Sequence, residues 1–280
     1  MKLTQKLAVN YLRARLTLLA VLSKKRAAKK AYKIFCTPYY KNKKELPAVF
    51  KNATPLSINV NGNTIRGFRW NTGGIKKILI LHGFESSIKN FDAYISEFIT
   101  KDYEVLAFDA PAHGISGGKY ITLPLYIEML MAVHFQFGSI QSFMSHSFGG
   151  LALTHFIEKM PHDDSIKLAL IAPATETITF IDSFFVLLQL NNGLRVEFDK
   201  LLFAKAGVEA SYFSIPRALE NINASILWIH DKDDDITPFK DVEPVIKRNY
   251  PNVSFYITHG LGHKKIYRDT KVIRAVVDFL

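Results

Sequence analysis

The chain has 280 residues, 48% hydrophobic, 12% aromatic and 22% charged, which reads as an ordinary soluble globular protein with a sizeable core. Its one cysteine, Cys36, excludes an internal disulfide and suits a reducing compartment. The net charge of +11 is uneven: residues 1–51 hold 14 Lys/Arg against one acid, Glu45, whereas residues 52–280 hold 22 against 24. The basicity therefore belongs to an N-terminal arm, residues 1–51, and not to the body, residues 52–280.

From Lys2 to about Phe35 the arm has helical spacing, with Val9, Leu12, Leu16 and Leu19 at steps of three and four. Its longest apolar run, Leu16 to Leu22, is too short to span a bilayer, which takes roughly 18–20 residues. The run is followed directly by KKRAAKK with no small-residue cleavage site, unlike a signal peptide. Two readings stand. The arm lies as a basic amphipathic helix on an anionic membrane surface through residues 1–35, or it docks its apolar stripe on the body with Lys/Arg facing water. The chain is expected in the cytoplasm, peripheral to the membrane in the first reading. Basic residues without interleaved aromatics speak against nucleic acid.

In LSINVNGNTIRGFRW (56–70), Asn61-Gly62 predicts a β-hairpin with a tight turn. Strand-like apolar runs follow at 76–83, 103–111, 139–145, 166–174, 224–231 and 253–260. Helix-length segments separate most of them: FDAYISEFI, LPLYIEMLMAVHFQF and GLALTHFIEKM. The alternation predicts an α/β fold with a doubly wound, mostly parallel sheet. An insertion at about 175–222 contains the apolar FIDSFFVLLQL, which suits either an acyl pocket or the insertion's own core.

Ligands of open parallel sheets bind beyond the carboxyl ends of the strands. There this chain places HGFES at 82–86, DAPAHGIS at 109–116, SHSFGG at 145–150, HDKDDDITP at 230–238 and HGLGH at 259–263. A serine, a carboxylate and a histidine thus follow one another at three strand ends, which suits nucleophilic acyl chemistry. In SHSFGG, Ser147 falls where a strand-to-helix turn needs small neighbours, and Ser145 and Gly149 supply them.

Over residues 56–280 these motifs resemble the α/β-hydrolase superfamily. "LHGF" looks like its oxyanion-loop motif. "DAPAHGISGG" is similar to its D-x-P-G-x-G-x-S segment, with Ala112 in place of glycine, and "SHSFGG" looks like its G-H-S-x-G-G elbow with Ser145 in place of the first glycine. The resemblance picks Ser147 as nucleophile, Asp234 (four residues before Pro238) as acid and His263 as base. It also picks the backbone N–H groups of Phe84 and Phe148 as the oxyanion hole. Asp231, Asp233 and Asp235 are neighbours of Asp234 that compete with it as the acid, and His259 competes with His263. The resemblance implies a serine hydrolase for a small-molecule acyl substrate, carboxylesterase-like, acting on an ester with an apolar acyl group. A serine in place of an aspartate nucleophile argues against haloalkane or epoxide chemistry. A membrane-recruited lipase or thioesterase, or a non-catalytic receptor on the same fold, is the alternative. No cofactor or metal is implied: His82 and His113 lack metal-ligand spacing and fit bracing of glycine turns, and His146 packs near the site.

Overall fold

The computed structural model describes residues 3–39, 45–138 and 140–280. Lys2, the arm lysines Lys41, Lys43 and Lys44, and Ser139 at the start of an expected strand lie outside them.

Helices α1 (Leu3–Leu22) and α2 (Lys24–Phe35) open the chain. Ser23 parts them: its backbone is extended and its hydroxyl accepts the Arg26 N–H at 3.3 Å, an N-cap for α2. Strands β1 (Thr54–Val60) and β2 (Asn63–Trp70) form the expected hairpin, with Asn61 and Gly62 both at positive φ as a type I′ turn requires. Next come β3 (Lys76–Leu81), α3 (Asp92–Thr100), β4 (Tyr103–Phe108), α4 (Leu123–Phe137), β5 (Ser142–His146), α5 (Phe148–Ile157) and β6 (Lys167–Ile171). The insertion holds α6 (Thr177–Leu187) and α7 (Asn192–Ala206). The chain closes with α8 (Ile215–Leu219), β7 (Ser225–Asp231), α9 (Glu243–Arg248), β8 (Val253–Thr258), α10 (Gly262–Lys265) and α11 (Thr270–Phe279).

The strands form one sheet in the order β1-β2-β4-β3-β5-β6-β7-β8, antiparallel at β1–β2 and β2–β4 and parallel from β4 onward. β4 is buried along its whole length, as are Ile78 to Leu81 of β3, because helices cover both faces. β3 lies between its two successors in chain order, β4 and β5. The chain therefore leaves β3 and β5 in opposite directions, and this reversal opens a crevice at their carboxyl ends.

Two compact units result. Residues 38–175 and 215–280 hold the sheet. Residues 1–37 and 176–214 make the other unit, so the arm divides from the sheet near residue 37 and shares a unit with the insertion. In that unit Leu16, Ala20, Ala27, Ala28, Ala31 and Ile34 of α1 and α2 pack with Ile181, Phe185, Leu188, Leu194 and Phe198 of the insertion. Alanines along α2 let it approach α7 closely. Edge-on ring pairs Phe35–Phe184 and Phe185–Phe198, 5.3 and 5.2 Å between centroids, fill the seam. Five apolar residues of FIDSFFVLLQL, Ile181, Phe184, Phe185, Leu188 and Leu190, thus serve the core that the insertion shares with the arm. The stripe Val9, Leu12, Leu16 and Leu19 is committed to the same core.

Candidate active site

β5 passes into α5 through a single residue, Ser147, at φ +55° and ψ −124°. A non-glycine residue held at positive φ costs on the order of 1–3 kcal/mol, so the surroundings must impose it. They do. The Ser147 N–H donates to the Ile171 carbonyl at 3.1 Å, and the Ser147 carbonyl accepts from Gly150 at 2.8 Å and Ala174 at 3.0 Å. Neighbouring backbone comes so close that a Cβ at Gly149 would sit 2.7 Å from the His82 carbonyl oxygen. Ser145 needs no such space: it lies within β5, fully buried, and its hydroxyl has no hydrogen-bond partner among the described residues.

Asp234 and His263 converge on this turn from the ends of β7 and β8. The Ser147 Oγ lies 3.0 Å from His263 Nε2, and His263 Nδ1 lies 2.8 Å from Asp234 Oδ2. All three side chains are buried. Burial works to raise the Asp234 carboxyl, but the hydrogen bond and charge of His263, with donors from Thr237, hold it below the ordinary carboxylate value. Asp234 is therefore ionised beside His263 at neutral pH.

The other acids have different posts. Asp231 accepts the Thr258 hydroxyl at 2.6 Å and the N–H groups of Asp233 and Leu261 at 3.0 and 3.1 Å, tying the acid loop to the histidine loop. Asp233 accepts the Gly260 N–H at 2.8 Å, and Asp235 is exposed. His259 is exposed beyond the end of β8, apart from Ser147.

Thr237 is the site residue that the motifs did not reveal. Its N–H and that of Ile236 donate to Asp234 Oδ1 at 2.8 and 2.9 Å, and its hydroxyl donates to Asp234 Oδ2 at 2.8 Å. Asp234 accepting from Ile236 two residues on is an Asx turn, and Thr237 extends it with its own N–H and hydroxyl. His230 supports the loop from beneath, its Nε2–H donating to the Thr237 carbonyl at 2.7 Å.

The loop after β3 crosses directly against the elbow: a Cβ on Gly83 would lie 2.7 Å from the Ser147 Cβ and 3.3 Å from its Oγ. This close approach puts the next residue, Phe84, beside the serine. Phe148 is the first residue of α5, where backbone N–H groups lack intrahelical partners and the helix dipole favours negative charge. Among the described residues neither the Phe84 nor the Phe148 N–H is engaged by a protein acceptor. Their rings meet edge-on at 6.4 Å.

Histidines brace this loop. His82 donates from Nδ1 to the Gly83 carbonyl at 2.8 Å and accepts the Ala110 N–H on Nε2 at 2.9 Å; burial lowers its pKa to about 4 and keeps it neutral. His113 donates from Nδ1 to the Pro111 carbonyl and accepts the Glu85 N–H. His146 packs its ring 4.6 Å from that of His263 and bonds the His263 carbonyl at 3.1 Å. Burial, with His263 alongside, holds its pKa well below the usual imidazole value. Ala112, where the motif resembles one with glycine, is held at φ +66°. Cys36 is buried in the arm, and burial pushes its thiol up to about 12, so it is no nucleophile at neutral pH.

The family model described as serine aminopeptidase, S33, matches residues 75–191. Among solved structures, an esterase from Pyrococcus furiosus is 19% identical, with a TM-score of 0.65 over 87% of this chain and 95% of its own. The esterase Est1E from Butyrivibrio proteoclasticus, solved with ferulic acid bound, is 17% identical, with a TM-score of 0.61 over 80% of this chain and 97% of its own. Mouse α/β hydrolase domain-containing protein 10 is 16% identical, with a TM-score of 0.61 over 81% and 96%. No curated protein sequence matches the chain.

Proposed function

We propose that this chain, which shares its fold with solved esterases and matches the serine aminopeptidase, S33, model over residues 75–191, is an α/β-hydrolase of the serine type that cleaves a carboxylic ester through an acyl-enzyme on Ser147. The observation that carries this reading is the continuous relay Asp234–His263–Ser147, at 2.8 and 3.0 Å, ending on a serine fixed at positive φ.

In the proposed reaction Ser147 Oγ attacks the acyl carbonyl while His263 Nε2 takes its proton. Asp234 keeps Nδ1 protonated and stabilises the imidazolium that forms. The N–H groups of Phe148 and Phe84 receive the oxyanion, where one lost donor costs on the order of 10²–10³ in turnover. His263 then returns the proton to the leaving alkoxide. Water, deprotonated by the same histidine, releases the acid.

Two observations support an apolar acyl group: the half-exposed Phe84 ring and the Phe148 ring, both on residues placed against Ser147. The solved esterases among the structural neighbours support an ester over other acyl bonds.

Labelling with a fluorophosphonate probe tests the reading. The parent chain is expected to label and Ser147→Ala to give no adduct; an unlabelled parent chain sinks it. A series of p-nitrophenyl esters of increasing acyl length then checks the substrate class, with kcat/KM expected to rise beyond acetate.

A further inference from the structure

α1 is apolar on two opposite faces. One face, with Leu16 and Ala20 buried and Val9, Leu12 and Leu19 partly buried, is used up in the core it shares with the insertion. At about 100° per residue, Leu7, Tyr11, Leu18, Val21 and Leu22 fall on the opposite side. They are 60, 63, 67, 81 and 77% exposed. Five of the eighteen exposed large hydrophobic side chains among the described residues thus form a single stripe on one helix, not a scatter.

The charge around that stripe is of one sign. Residues 3–37 carry nine Lys/Arg and no acid. On the helix, Lys6 and Arg13 border one side of the stripe and Arg15 the other. Lys24, Lys25 and Arg26 follow Leu22 with only Ser23 between, and these three, with Lys29 and Lys33 of α2, are exposed. Among the described residues none of the nine forms a salt bridge.

We propose that the outer face of α1, continued by the cations of α2, docks on an anionic lipid surface. The stripe sinks to the boundary between headgroups and acyl chains, while the flanking Lys/Arg pair with lipid phosphates. A second copy of the chain is the poorer occupant, because it would bring nine cations, none of them in a salt bridge among the described residues, against nine. A nucleic-acid backbone would accept the cations but leave the apolar stripe with nothing to cover it. No described helix is long and apolar enough to cross a membrane, so α1 lies along the surface. This is not the face that sequence periodicity suggested for a membrane. That stripe is buried, and the docking stripe lies opposite it. The proposal stands apart from the chemistry at Ser147.

Flotation of the full chain with vesicles tests it, comparing phosphatidylcholine alone with a phosphatidylcholine–phosphatidylglycerol mixture. The parent chain is expected to float with the mixture and not with phosphatidylcholine alone, and to release as salt is raised. Leu18→Glu combined with Val21→Glu should cut the bound fraction at least roughly tenfold. Lys24→Gln combined with Lys25→Gln should cut it by about fivefold per charge near the surface. Circular dichroism and melting temperature confirm that both variants remain folded, and the second variant stands if the first does not fold. Binding that ignores phosphatidylglycerol, no binding at all, or binding unchanged in the folded variants overturns the proposal. Self-association in sedimentation velocity that the glutamate variant abolishes also overturns it, and gives the face to a second copy.

Discussion

Gly83→Ala perturbs the site without replacing the serine, histidine or acid. The added Cβ would stand 2.7 Å from the Ser147 Cβ, 3.2 Å from the His146 carbonyl oxygen and 3.3 Å from Ser147 Oγ, so something must yield. The elbow is the firmer side: three backbone hydrogen bonds of 2.8–3.1 Å fix Ser147 to β6 and α5. The loop carrying Gly83 is held through the His82 Nδ1 bond at 2.8 Å and a Ser86 N–H bond at 3.3 Å, and it is expected to move.

Overpacking of this kind costs about 1–3 kcal/mol, or a melting temperature lower by about 2–10 °C in a domain of this size. The effect on turnover should be larger than that. A shift of the loop by ~1 Å carries the Phe84 N–H away from the developing oxyanion, worth ~10²–10³ in kcat. KM should change far less, because the donor acts on the transition state and not on the bound ester. Steady-state kinetics on a p-nitrophenyl ester, beside a thermal melt, measure both quantities. A folded Gly83→Ala that keeps kcat within about threefold of the parent would refute the placement of the Phe84 N–H at the oxyanion.

Asp234→Asn is expected to lower kcat by ~10⁴ while the chain still folds, whereas Asp235→Asn leaves kcat near that of the parent; a reversed order would move the acid to the exposed neighbour. His82 and His155 have pKa values lowered to about 4 by burial, with Arg217 adding to the effect on His155, and both return to about 6.5 on unfolding. The unfolded chain therefore binds more protons between those values, so this stability is complete above about pH 6.5 and falls away toward pH 4, by up to about 3 kcal/mol for each histidine. Urea titrations across that range check it, and a flat profile contradicts it. Ser145→Ala removes a buried hydroxyl that has no partner among the described residues and should stabilise the chain by about 1 kcal/mol in the same titration; a loss would show that the hydroxyl is satisfied.

The reach of the sequence differs sharply between the two units. Near Ser147 the determinants are local: an Asn-Gly turn fixes the hairpin, continuous apolar runs mark strands covered on both faces, and glycines at 149 and 150 leave room for the elbow. Strand order then brings the ends of β5, β7 and β8 together, so residues 29 and 116 positions apart in the chain, Asp234–His263 and Ser147–His263, become hydrogen-bonded. Thr237 escaped notice because a threonine before proline looks like an ordinary turn residue. Its function appears only when Asp234 accepts from its N–H and hydroxyl together.

The arm followed the opposite logic. Helical periodicity marked one apolar stripe on α1 correctly as a stripe, but periodicity does not say what covers it. The answer came from residues about 170 positions away, where Ile181, Phe185 and Phe198 supply the apolar surface and Leu187 the carbonyl that accepts the Arg13 guanidinium at 3.4 Å. Once that face is taken, the second stripe, Leu7, Tyr11, Leu18, Val21 and Leu22, can no longer be read as core. It was concealed in the sequence because a helix apolar on both sides has little net amphipathicity. With nine cations and no acid along the same segment, the proposed anionic lipid surface would cover the exposed hydrocarbon and offset the positive charge together.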